Sequence, residues 1–205
     1  GFGVFHSSEA RSIHLAFAVF LGFMAYPAFR RSPRDRIPLA DWLLALGGAF
    51  CAGYLYLFYA ELAQRPGTPT SLDIAVAIAG LLLLLEATRR ALGPPLMLVA
   101  LVFLVYSLAG PWMPGILAHR GVSLNALTSH QWLTTQGVFG IALGVSTSFV
   151  FLFVLFGSLL DKAGAGNYFI KVAFSLLGHY RGGPAKAAVV ASGMTGLISG
   201  SSIAN

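Results

Sequence analysis

The stretch VFGIALGVSTSFVFLFVLFGSLL (Val138 to Leu160) decides the fold: 23 consecutive residues carry no charge. A helix that crosses a bilayer needs about 20 mostly apolar residues, so this run is long enough to span. The rest of the chain is of the same kind. Its 205 residues are 57% hydrophobic and 10% charged, with mean hydropathy +0.77. A soluble domain is about 25% charged. No water-soluble fold of this size can bury so much apolar surface, so the solvent is lipid. The expected class is an all-α polytopic membrane protein, because a helix satisfies its own backbone groups in hydrocarbon.

Working outward, four further runs read as spans: Ile13 to Phe29, Trp42 to Ala60, Ile74 to Leu85 and Pro94 to Gly110. That makes about five full transmembrane helices. Pro94 and Pro95 stand in a first helical turn, where proline is tolerated. The net charge of +6 then reports topology rather than nucleic acid. Ten of the thirteen Lys and Arg fall in alternate connections: Arg30, Arg31, Arg34 and Arg36, then Arg89 and Arg90, then Lys162, Lys171, Arg181 and Lys186. By the positive-inside rule these connections face the cytoplasm. The Arg-rich 30–36 loop is then cytoplasmic and the N-terminus outside, with Arg11, Arg65 and Arg120 on the outer side. The location expected is a bacterial inner membrane. Gly stands at position 1 instead of Met, and the chain ends within an apolar run; both are read as ends of a fragment of a longer chain.

Residues 111–136 mix Trp112, His119, Arg120, His130 and Trp132 with apolar residues. Tryptophan favours the headgroup level, so this stretch reads as an outer interfacial linker with a short helix lying flat. The expected organisation is a compact four-helix unit over 1–110, the linker over 111–136, and a second domain from 137 to 205. Beyond Leu160, Asn167 to Leu177 is patterned as an amphipathic cytoplasmic helix with Phe169, Val172, Ala173 and Leu176 on one side; a plain connecting loop is the alternative. Gly182, Gly183 and Pro184 then break the helix.

The last segment raises a separate question. It is apolar, yet it finishes on GLISGSSIAN, with Ser199, Gly200, Ser201, Ser202 and Asn205 together. Two readings stay open. One is close helix packing through Gly140-x-x-x-Gly144 and Gly196-x-x-x-Gly200. The other is a helix that breaks inside the membrane at Gly193 and Gly196, whose freed oxygens bind an ion or a substrate. Each glycine lowers helix propensity by about 1 kcal/mol relative to alanine. Sodium, a hard cation, suits such oxygen ligands. Enzyme chemistry has little support. Val190 and Leu197 stand where a Gly-x-Ser-Gly nucleophile motif needs glycine, and no Gly-x-Ser-x-Gly elbow occurs. His6, His14, His119, His130 and His179 fall at span edges or in connections. The single cysteine, Cys51, builds neither a disulfide nor a metal site. No cofactor is implied.

With those residues in view, the chain resembles the fused membrane subunit of TRAP transporters, in the branch served by TAXI-type periplasmic binding proteins. The likeness rests on HRGVSL (His119 to Leu124), on GVFGIALGVSTSFVFLFVLFGSLLDKAGAGNYFI (Gly137 to Ile170) and on GHYRGGPAKAAVVASGMTGLISGSSIAN (Gly178 to Asn205). The resemblance implies a permease that imports an organic acid or similar small solute by ion-driven, elevator-like movement. It implies a periplasmic TAXI-type binding protein as partner, membrane lipid around the spans, and a remainder of the transport domain that completes the sites. It also implies that Ser199, Gly200, Ser201, Ser202 and Asn205 form a hairpin tip contributing to a cation and substrate site, with sodium as the coupling ion. The competing expectation is a non-transporting membrane scaffold whose Gly-rich segment mediates helix association.

Overall fold

The computed structural model describes residues 7–28, 37–65 and 67–199, with the side chains of 197–199 left aside. Every regular element among them is helical. The order is α1 (Ser7–Ala25), α2 (Leu39–Leu57), α3 (Tyr59–Ala63), α4 (Ser71–Leu92), α5 (Pro94–Ala109), α6 (Leu124–Thr128), α7 (Ile141–Val145), α8 (Phe151–Lys162), α9 (Ala165–Leu177) and α10 (Gly183–Ser199). A π turn, Ser129–Leu133, follows α6, and another, Ser146–Val150, joins α7 to α8. Among the described residues, four helices are long and apolar enough to cross a membrane: Leu39–Leu57, Ser71–Leu92, Pro94–Trp112 and Ile141–Lys162. α1 matches them in length, with 19 residues, but its first turns carry Ser7, Ser8, Glu9, Arg11 and Ser12, and it falls short in apolarity. Four of the five expected spans therefore meet the measure.

The chain forms two compact units, residues 1–144 and 145–205. In the first, α1, α2 and α4 pack together. α1 turns Leu15, Val19 and Phe23 inward at four-residue spacing, which places them on one face. α2 answers with Ala45, Gly48 and Ala52. A side chain at Gly48 would run into Val19 and Phe23, so the bare backbone sets the approach of the two helices. Ser12 Oγ donates to the Ala52 carbonyl at 2.6 Å beside this crossing.

α4 has both ends fixed by local chemistry. Thr70 accepts from the Asp73 N–H at 3.3 Å, and Asp73 accepts from the Thr70 N–H at 2.8 Å, a reciprocal capping box. At the far end Gly93 adopts φ +88°, a conformation open to glycine. Pro94 and Pro95 then start α5.

Trp132 is packed within the protein and does not lie open at its surface. Its side chain is buried at 2% exposure, inside the first unit. The indole N–H donates to the Cys51 carbonyl at 3.0 Å, and its ring meets Phe139 edge-on at 5.5 Å. It occupies the space a side chain at Gly80 would need. Trp112, 87% exposed, keeps the open setting expected of an interfacial tryptophan. The reason for the difference is that Gly80 leaves a notch in α4 and the Cys51 carbonyl supplies the acceptor a buried indole requires.

In the second unit, α9 packs on α10 through Ala173, Ala187 and Ala191, with Leu177 alongside. The α9 helix expected from the sequence is present. Its inward face includes Ala173 but turns to Leu177 instead of Leu176, which is 63% exposed. Residue 177 lies four after 173, one helical turn further along the same face.

Candidate functional site

The residues singled out as a hairpin tip divide at the limit of description. Ser199 is the last residue of α10. Gly200, Ser201, Ser202 and Asn205 lie outside the described residues. What leads up to them is well defined. Gly182, at φ +70°, turns the chain between α9 and α10. Gly183 opens α10 with its N–H donating to the Tyr180 carbonyl at 2.7 Å, and Pro184 occupies the first turn. A side chain at Gly183 would overlap the Gly178 and Leu177 carbonyls.

From there α10 runs as continuous helix through Gly193 and Gly196. The break anticipated at these two glycines does not fall at either. Two losses of about 1 kcal/mol do not stop a helix whose other residues are good helix formers such as Ala, Met and Leu. Gly193 has no atom within 4 Å of where its side chain would begin, so it serves no close approach. The packing residues are others. Gly183, Ala187 and Ala191 are buried and Thr195 half-buried, at four-residue spacing, and Thr195 Oγ1 donates to the Ala191 carbonyl at 2.9 Å. This stripe holds α10 against α9; the Gly196-x-x-x-Gly200 pair ends outside the described residues. The signal for it was present in the spacing of small residues.

Gly140 and Gly144 also take a different part from the helix packing weighed for them. Gly140 sits in a tight turn against the Gln136 and Gly137 carbonyls, and Gly144 lies against the Arg11 guanidinium. Arg11 Nη1 donates to the Phe139 carbonyl at 2.9 Å, tying the start of α1 to the segment that enters α7.

Two polar clusters mark the two ends of α4. At its start, Tyr54 donates to Asp73 Oδ1 at 2.6 Å, and Arg65 lies 3.9 Å from Asp73 and 3.6 Å from Glu61. At its end, Arg90 pairs with Asp41 at 2.8 Å and with Glu86 at 2.8 Å, its guanidinium 4.9 Å from the centre of the Phe23 ring. Arg89 binds Glu86 at 2.7 Å and reaches the Ala28 carbonyl at 3.2 Å. The charge pattern marked Arg89 and Arg90 as a connection; the structure places them in the last turn of α4, with the Arg90 side chain 3% exposed. The signal available was Glu86 three and four residues before two arginines.

His119 is a structural staple. The Gly121 N–H donates to its Nδ1 at 3.1 Å, so Nε2 carries the proton and donates to the Tyr106 carbonyl at 3.1 Å. A side chain at Gly110 would strike the ring. Among the described residues no group of His, Cys, Asp and Glu could hold a metal ion.

Against known proteins, the model for "Tripartite ATP-independent periplasmic transporter, DctM component" matches residues 79–205, more than half of the chain. The match begins within α4 and takes in α5 and all that follows. No curated protein and no solved structure gives a match.

Proposed function

We propose a transport role that proceeds from one premise: the chain belongs to the DctM component family of tripartite ATP-independent periplasmic transporters. Members are multi-pass membrane permeases that work with a periplasmic substrate-binding protein, and they are not enzymes. The finer reading is that this chain is the N-terminal part of a fused permease of the TAXI-type branch. It would import an organic acid or a similar solute across the bacterial inner membrane by ion-driven, elevator-like movement. The first helices would act as the scaffold, and the region that runs into α10 would begin the moving part.

The carrying observation is the family match over residues 79–205, which ends on the Ser- and Gly-rich run. Orientation is proposed from charge. Arg89 and Arg90 stand at one end of α4 and Arg65 beside the other. At about 1.5 Å per residue, α4's 22 residues span about 33 Å, a bilayer core. The Arg89 and Arg90 end would face the cytoplasm.

The proposed cation and substrate site is Ser199, Gly200, Ser201, Ser202 and Asn205, with sodium as the coupling ion. The test is solute uptake into proteoliposomes by the complete permease with its binding protein, under imposed sodium or proton gradients. A sodium gradient should drive uptake. Asn205→Ala and Ser201→Ala should each slow it by about tenfold or more, the equivalent of one lost ligand at 1.4 kcal/mol, with membrane insertion unchanged. Unaltered uptake and ion dependence in both variants would remove the site from these residues. A proton gradient acting alone would remove sodium.

A further inference from the structure

A second site lies in the first unit. A cavity of about 300 Å³ opens where α2 ends and α4 begins, walled by Leu55, Leu62 and Leu133 and polar at Arg65, Ser129, Thr134 and Thr135. That volume is at the lower end of small-molecule pockets. Arg65 and Ser129 have unused capacity. Ser129 Oγ is buried without a hydrogen-bond partner, although such groups are ordinarily satisfied. Arg65 carries five N–H donors. Only Nε makes a hydrogen bond among the described residues, to the Glu61 carbonyl at 3.3 Å. The carboxylates of Glu61 and Asp73, at 3.6 and 3.9 Å, are ion-pair neighbours too distant to bond the Nη hydrogens.

The charges select the ligand. The planar Nη fork of an arginine matches phosphate oxygens. With two carboxylates beside one guanidinium, the cluster is net negative, so it disfavours a free multivalent anion. A zwitterion suits it: phosphate toward Arg65, and an ammonium toward Glu61, which is 66% exposed. The depth selects the rest. Two spans, Leu39–Leu57 and Ser71–Leu92, end and begin at this cavity, so it lies at headgroup level with apolar walls leading into hydrocarbon.

We propose that the cavity between the end of α2, Arg65 and Ser129 binds one phospholipid with a zwitterionic, ammonium-bearing headgroup, the chemistry of phosphatidylethanolamine.

The test counts lipid retained by the delipidated chain in detergent, using native mass spectrometry. The arms are phosphatidylethanolamine, phosphatidylcholine and phosphatidylglycerol with identical acyl chains, and O-phosphoethanolamine and inorganic phosphate without them. One phosphatidylethanolamine per chain should be retained in preference to the other two lipids. Arg65→Gln should lower its occupancy constant about tenfold, as expected for a lost charge-assisted pair. Glu61→Gln lies on an exposed side chain and leaves the fold intact. It should abolish the preference over phosphatidylcholine while retention persists. Wild-type retention by Arg65→Gln would overturn the proposal, as would equal retention of all three lipids, or an undiminished preference in Glu61→Gln. Equal binding of O-phosphoethanolamine or phosphate would reassign the cavity to a soluble phosphate ligand and overturn the lipid. Displacement of the lipid by a soluble dicarboxylate would likewise overturn it.

Discussion

The notch at Gly80 makes a sharp quantitative test of how the first unit is packed. In Gly80→Ala the new methyl group meets the Trp132 indole. The ring cannot simply swing aside. Its N–H is bonded to the Cys51 carbonyl at 3.0 Å and its edge packs on Phe139. Overpacking of this kind costs about 1–3 kcal/mol. Against that, alanine favours the helix over glycine by about 1 kcal/mol. The net change in the native background is therefore a loss of about 0–2 kcal/mol. In a Trp132→Leu background the overlap is gone, and the same substitution should stabilise by about 1 kcal/mol. The coupling between the two positions is then about 1–3 kcal/mol. Reversible unfolding of all four proteins by SDS titration in mixed micelles measures it directly. Additivity within about 0.5 kcal/mol, the behaviour of independent sites, would refute the claim that Gly80 is there to admit Trp132.

Two further outcomes follow from the ends of α4. Removing Arg90 leaves the buried Asp41 carboxylate uncompensated, whereas removing Asp41 leaves Arg90 its second partner, Glu86. Arg90→Leu should cost about 3–5 kcal/mol in the same titration and Asp41→Leu less, because Glu86 still answers Arg90; the double variant should be more stable than Arg90→Leu, and a double variant worse than both would contradict the pairing. At the other end, Thr70→Ala removes one half of the capping box and should cost about 1 kcal/mol. Tyr54→Phe, which takes the 2.6 Å hydrogen bond from a buried carboxylate, should cost about 1.5–3 kcal/mol. Equal effects of the two would show that the phenol contributes no more than the cap.

Apolar runs were legible because lipid imposes one requirement, length without charge, that needs no knowledge of partners. Leu39–Leu57 and Ile141–Lys162 follow from that alone. Glycine was less legible, because it does several things in hydrocarbon. Gly80 makes room for an indole, Gly93 takes a positive φ, and Gly193 faces open space; only Gly93 has neighbours, Pro94 and Pro95, that mark its part. The burial of Trp132 was illegible for the same reason, since it depends on a notch in a helix about fifty residues earlier. The spacing of Gly183, Ala187, Ala191 and Thr195 narrows the open question at the end of α10. Those small residues face α9 or continue its stripe, so helix packing explains them without an ion. Gly193 is off that face and Ser199 ends the helix. The two readings of the segment therefore divide it between them, packing up to Thr195 and a proposed oxygen-rich site from Ser199 onward. A substitution at Ala191 should then change stability with little effect on ion dependence, and one at Asn205 the reverse.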